Sequence, residues 1–144
     1  MTTVTLKYRE RRHMTIKVYD LCGAEDRRFS PFCWRIRLAL AHKGLDAEFE
    51  PMFFSQKDKI AFADSKTVPV LIDGDTVMNE SWDIADYLEK TYTEGPSLFG
   101  GDAGRAVTGF INALTNSTLH PALIMWVLPD IHDRLDRMDH AYFR

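Results

Sequence analysis

Residues 29–34 read FSPFCW, and Ser30-Pro31-Phe32-Cys33 is where this chain most readily offers chemistry. Two cysteines at that spacing, at the mouth of a helix, would suggest thiol–disulfide exchange. Here serine holds the first position and only Cys33 remains. On residue types alone, Ser30 is a favourable N-cap and Pro31 suits the first helical position, where the N–H has no partner anyway. An N-cap is also where an anion is stabilised, by the free N–H groups of the first turn. Cys33 lies about one turn into the helix and reads as a buried, inert thiol. Cys22 stands in a preceding loop and is the outside candidate for redox work.

Other residues carry chemistry more weakly. Val68-Pro69 opens an apolar run, and proline at a strand start needs a reason. Glu80-Ser81 precedes a helical pattern, with Ser81 read as its N-cap. Lys57, Lys59 and Lys66 are cations between these motifs and read as surface lysines. His132 and His140 stand among aspartates in PDIHDRLDRMDH, but the spacing is loose. That segment reads as a charged helical face, and no metal site is expected.

The elements that must position these residues follow from periodicity. TIKVYD (15–20) alternates with Ile16 and Val18 on one face, as a strand does. From Pro31, the residues Phe32, Ile36 and Leu40 recur every four, and Gly44 can end the helix in the left-handed conformation. DAEFEPMF (46–53) alternates again, with Pro51 marking an edge or strand end. Strand, helix, strand predicts a parallel pair joined by a right-handed crossover. VPVLI, Asp73-Gly74-Asp75 and TVMN predict a hairpin. SWDIADYLEKTY then places Trp82, Ala85, Leu88 and Tyr92 at helical spacing. Residues 94–104, with four glycines and Pro96, read as a linker. Residues 105–144 read as helix interrupted near Pro121 and Pro129. Residues 1–14, with Lys7, Arg9, Arg11 and Arg12 against Glu10, read as a mobile tail, with Met14 as an alternative start of translation.

Bulk properties narrow the function. The 144 residues suit one modest domain, and 45% hydrophobic with 27% charged residues is ordinary for a globular protein. A net charge of -3 argues against a general nucleic-acid binder. No apolar run is long enough to span a membrane. Two cysteines are no disulfide framework and suit a reducing compartment, so a cytoplasmic location is expected.

Taken jointly, SPFCWRIRLAL, KTVPVLIDGD and MNESWDIADYLE, with their spacing, resemble the glutathione transferases over residues 15 to about 100. The resemblance implies an α/β, thioredoxin-like βαβ-ββα domain over 15–93, a linker at 94–104 and a partial all-α segment over 105–144. It implies glutathione as cosubstrate. Ser30 would then donate a hydrogen bond to the glutathione thiolate. A cis Val68–Pro69 peptide would present the Val68 backbone to the cysteinyl part. Glu80 and Ser81 would hold the γ-glutamyl ammonium and carboxylate, and one of Lys57, Lys59 or Lys66 would take the glycyl carboxylate. The long loop between YDL and SP looks like the bacterial β-etherase-type branch, which cleaves aryl ethers with glutathione. SPFC also resembles the omega-like and glutaredoxin-like branches, where cysteine stands at the position of Ser30.

The expected activity is therefore glutathione transfer to a small electrophilic or aryl-ether substrate, with a homodimer among the assemblies the family allows. Two alternatives stand beside it: a glutathione-dependent thiol–disulfide reductase using Cys33, and a non-catalytic interaction module. Family members carry a full helical second domain, whereas about 40 residues follow the linker here. A truncated chain is expected, with Ile111, Leu114, Leu119, Leu123, Ile124 and Trp126 short of cover.

Overall fold

The computed structural model describes residues 15–143. The basic N-terminal tail expected over 1–14 lies outside the described residues. Four strands form one sheet in the order β2-β1-β3-β4. They are β1 (Ile16–Leu21), β2 (Ala47–Met52), β3 (Val70–Asp73) and β4 (Thr76–Met78). β1 and β2 run parallel, with Ile16 opposite Ala47 and Leu21 opposite Met52. β3 is antiparallel to both β1 and β4. Pro51 sits on the edge strand β2, where its missing N–H costs no ladder bond.

Helix α1 (Pro31–Lys43) connects the parallel strands. The Cys33 N–H donates to Ser30 Oγ at 3.3 Å, and Pro31 occupies the first turn. Gly44 ends the helix at φ 67°, a conformation that costs a side chain dearly. The hairpin turns through Gly74 at φ 60°, and its turn end is tied to α2 (Ser81–Thr91) by Asp73. That carboxylate accepts hydroxyl bonds from Tyr87 at 2.8 Å and Tyr92 at 2.6 Å.

Each face of the sheet has its own cover. Ile16, Val18 and Leu71 pack against Ile36, Ala39 and Leu40 of α1 and Ile84 and Leu88 of α2. On the other face, Met52 and Val70 pack against Ile60 of a 3-10 segment, Lys57–Ala63. In α2 the apolar stripe is shifted from the one expected. Ile84 and Leu88 are fully buried, while Trp82 and Ala85 are half-buried and face away toward Phe99 and the helical segment after it. This is the βαβ-ββα order of a thioredoxin-like sheet, with a helical segment following it.

That segment departs from the sequence reading in two places. Helix α3 (Asp102–Leu114) begins inside the stretch read as linker, with Gly101 at its N-cap position and the Arg105 N–H donating to Gly101 O at 2.8 Å. The helix then passes through a π-turn (Thr115–Leu119) into α4 (His120–His132). The wide turn ends at Leu119, two residues before Pro121, which stands in the first turn of α4. Pro129 does not break α4. It removes the N–H that would have served the Met125 carbonyl, yet the helix continues through it to His132. Neither α3 nor α4 has a fully buried residue. Ile111, Leu114, Leu119, Leu123 and Trp126 are exposed as expected, whereas Ile124 is half-buried. Among the described residues no helix is long and apolar enough to cross a membrane.

A polar latch fixes the connection after α2. Lys43, with its side chain only 1% exposed, donates to Glu89 Oε2 and to the Pro96 carbonyl, both at 3.0 Å. Glu89 also accepts from the Ser97 hydroxyl and from the Leu98 N–H at 2.9 Å. Burial alone would raise the Glu89 pKa, but the bonds from Ser97, Leu98 and Lys43 prevail and hold it at about 2. The stabilisation is therefore complete above the ordinary value of 4.5 and is lost as pH falls toward that lower one. Glu89→Gln is expected to cost about 2 kcal/mol at neutral pH, because a buried ammonium loses its counter-charge. Urea unfolding at pH 7 and in strong acid checks this: the two proteins should differ at the first pH and converge at the second. Equal stability at pH 7 would remove the latch from the account.

Candidate functional site

The loop between β1 and α1 brings Ser30 to the sheet edge. It is folded by charge. Arg28 donates to Asp26 at 2.8 Å and pairs with Asp20 at 3.3 Å, and Arg37 donates to Asp20 at 2.5 Å. Asp20 is buried, and among the described residues its Oδ1 has no hydrogen-bond partner. The Trp34 indole N–H closes the loop onto the Arg28 carbonyl at 2.8 Å. These contacts set the direction in which the chain enters α1, and with it the position of the Ser30 hydroxyl.

Burial pushes the Cys33 thiol up to about 12, with the Asp20 carboxylate acting in the same sense. Hydrogen bonds with Ser30 and the Leu21 backbone oppose this without overcoming it. At pH 7 the thiolate is then on the order of one part in 10⁵, too little for a working nucleophile. Cys33 is 1% exposed and Cys22 is 3% exposed, and burial raises the Cys22 thiol as well. Both are free thiols. This chemistry weighs against the reductase reading.

Beside Ser30 opens a cavity of about 450 Å³. Ser30, Val68, Pro69, Glu80 and Ser81 all line it, though they come from three separate motifs. The Val68–Pro69 peptide is cis. Leu21, Met52 and Phe32 supply apolar wall, and Asn79 stands beside Glu80 with its amide held by the Ala63 carbonyl at 3.0 Å. At α2 the capping differs from the sequence reading by one residue. Glu80 holds the N-cap position and Ser81 is the first helical residue; no side chain caps this end. The chain is still extended at Glu80, at φ -102° and ψ 123°, so the helix can begin only after it. Helical geometry gives the first amides no intrahelical partner, and Glu80 itself is exposed at the cavity.

Of the three lysines, Lys57 and Lys66 line the cavity. Lys59 is turned away, donating to the Pro51 carbonyl at 3.2 Å and pairing with Glu50 at 3.5 Å. The sequence reading missed Phe54 and Tyr142. They stack at 5.4 Å with ring planes 17° apart, and both line the cavity. No local pattern could join residues so far apart in the chain. A smaller hollow of about 290 Å³ lies between α2 and α3 and contains only Ser81 of the expected site residues. The His132 and His140 rings lie 5.0 Å apart, and among the described residues no group of three or more His, Cys, Asp or Glu is placed to hold an ion.

Comparison with known proteins points the same way. Residues 29–91 match the family model described as glutathione S-transferase, N-terminal domain. Glutathione S-transferase Z1 of Arabidopsis thaliana is 35% identical over 107 residues, covering 71% of this chain and 48% of that protein. The crystal structure of glutathione transferase GSTFuA2 from Phanerochaete chrysosporium superposes with a TM-score of 0.80 at 27% identity, covering 90% of this chain and 59% of that one. Maleylacetoacetate isomerase from Anaeromyxobacter dehalogenans, solved with bound dicarboxyethyl glutathione, gives 0.58 at 30% identity, covering 83% and 55%. The chain spans about half the length of the relatives it matches. Three motifs, the sheet they build and these likenesses together place the chain in the glutathione S-transferase family, through its thioredoxin-like N-terminal domain.

Proposed function

We propose that this protein binds glutathione in the cavity beside Ser30 and stabilises its thiolate for attack on an electrophile. One observation carries the reading: Ser30, Val68, Pro69, Glu80 and Ser81 converge on a single cavity of about 450 Å³. Glutathione has a thiol, an amine and two carboxylates, and each finds a suitable group there. The Ser30 Oγ accepts from the Cys33 N–H, and its single proton would turn from the neighbouring Cys33 sulfur to the glutathione sulfur. The start of α1 adds its positive end. Lowering a thiol by about two pKa units requires about 2.7 kcal/mol of preference for the thiolate. Glu80 would meet the γ-glutamyl ammonium, and the first amides of α2 its carboxylate.

The second substrate is a small electrophile, such as the aryl ether suggested by the long first loop. Relatives named maleylacetoacetate isomerase add an unsaturated acid to the choice, since a thiolate adds readily to an electron-poor double bond. Residues 15–93 serve as the glutathione domain in this reading and the helices as the start of the substrate domain. The exposed apolar residues of α3 and α4 suit a homodimer, and the two free buried thiols suit the cytoplasm.

Thermal melting with glutathione tests the reading. A ligand that binds only the folded protein stabilises it by about 2.7 kcal/mol at a hundred times its Kd, so Tm should climb steadily with concentration. An unchanged Tm at millimolar glutathione would overturn the assignment.

A further inference from the structure

Residues 134–142 fold back from α4 onto the loops that follow β1 and β2. Three contacts fix them there. The Ala24 N–H donates to the Arg134 carbonyl at 3.0 Å, and Leu135 is 4% exposed. Asp139 is fully buried, and its two carboxylate oxygens accept from the Phe54 and Ser55 N–H groups, each at 2.8 Å. The 3-10 turn Arg137–Phe143 is thereby held at the cavity and delivers Tyr142 to its rim. The Tyr142 ring stacks on Phe54, which stacks in turn on Phe29 at 6.2 Å.

Tyr142 also engages a cation. The Lys57 ammonium donates to its hydroxyl at 2.8 Å and lies 4.5 Å from its ring centroid. A lysine on a surface segment ordinarily samples many rotamers, and fixing it costs a ligand affinity. Here two contacts from one ring have already fixed it. An ammonium has three donors, and the phenol takes one of them.

Resting on the glutathione reading above, we infer that Tyr142 is a positioning residue: it holds Lys57 so that the ammonium meets the glycyl carboxylate of glutathione. The segment anchored by Asp139 thus joins the glutathione site through a residue of the helical half. It also separates the cations: Lys57 is oriented by a neighbour, while Lys66 is exposed.

Calorimetric titration with glutathione and with γ-glutamylcysteine, which lacks the glycyl carboxylate, tests this. The natural protein should prefer glutathione about tenfold, the worth of one charge-assisted contact. Lys57→Ala should abolish the preference. Tyr142→Phe keeps the ring and its stacking but removes the hydroxyl, and should reduce the preference to about threefold with γ-glutamylcysteine affinity unchanged. A Tyr142→Phe protein with the natural preference, or one that loses both ligands equally, would overturn the inference and leave the glutathione reading intact. Failure of the natural protein to bind either peptide would overturn both.

Discussion

Ser30→Ala is expected to return the thiol of bound glutathione to the ordinary value of about 8.5, from about 6.5 in the natural protein. At pH 7 the thiolate fraction would fall from about three-quarters to about 3%, so any reaction through it should slow about 25-fold. Above pH 9 the two proteins should nearly agree, since both then hold thiolate. Glutathione binding at pH 7 should weaken only about fourfold, because the lost preference concerns one protonation state of one ligand atom. The ultraviolet absorbance of the thiolate, followed against pH in the complex, reads this without any second substrate. Some loss of folding stability, about 1 kcal/mol, should accompany the change, because Ser30 Oγ also caps α1. A bound thiol with the same pKa in both proteins would reduce Ser30 to that cap. Cys33 provides no substitute, being buried and held near 12.

Asp139→Ala should be the more damaging substitution for the fold, at about 3 kcal/mol. It removes a fully buried carboxylate and leaves the Phe54 and Ser55 N–H groups without their acceptor. With a slope of about 1.5 kcal/mol per molar urea, the unfolding midpoint should drop by about 2 M. Hydrogen exchange offers a local reading, in which the Phe54 and Ser55 amides should lose protection while core amides such as that of Val18 lose only what global stability loses. Asp139→Asn should fall between, because its amide oxygen can serve one N–H while its NH₂ confronts the other. An unchanged midpoint, with both amides still protected, would mean that residues 134–142 are not held by this contact.

Those two residues mark different ends of what can be read before folding is known. Ser30 is legible because its role as a cap is local: Ser-Pro ahead of a four-residue apolar recurrence, and Gly44 behind it, specify the start and end of α1 within one stretch of chain. The hairpin at Gly74 is legible for the same reason. The reading at α2 erred by one residue because capping was inferred from residue type, whereas the backbone stays extended through Glu80 and no side chain caps the helix. The expected break at Pro129 was inferred from residue type alone, whereas α4 runs through it to His132 with one intrahelical donor missing.

The sequence by itself determined the strands and helices of residues 15–93 and their order, and the motifs that carry the family resemblance. These rest on periodicity and on caps and turns, which act over a few residues. The tertiary structure alone decided that Lys57 and Lys66 line the cavity while Lys59 does not, and that Cys33 is sealed behind Ser30. It also decided that Asp139 reaches back 85 positions to the Phe54 backbone and carries Tyr142 to the cavity rim. Such contacts form between surfaces that exist only once the sheet is built, and a buried carboxylate with two amide donors leaves no periodic trace in the chain.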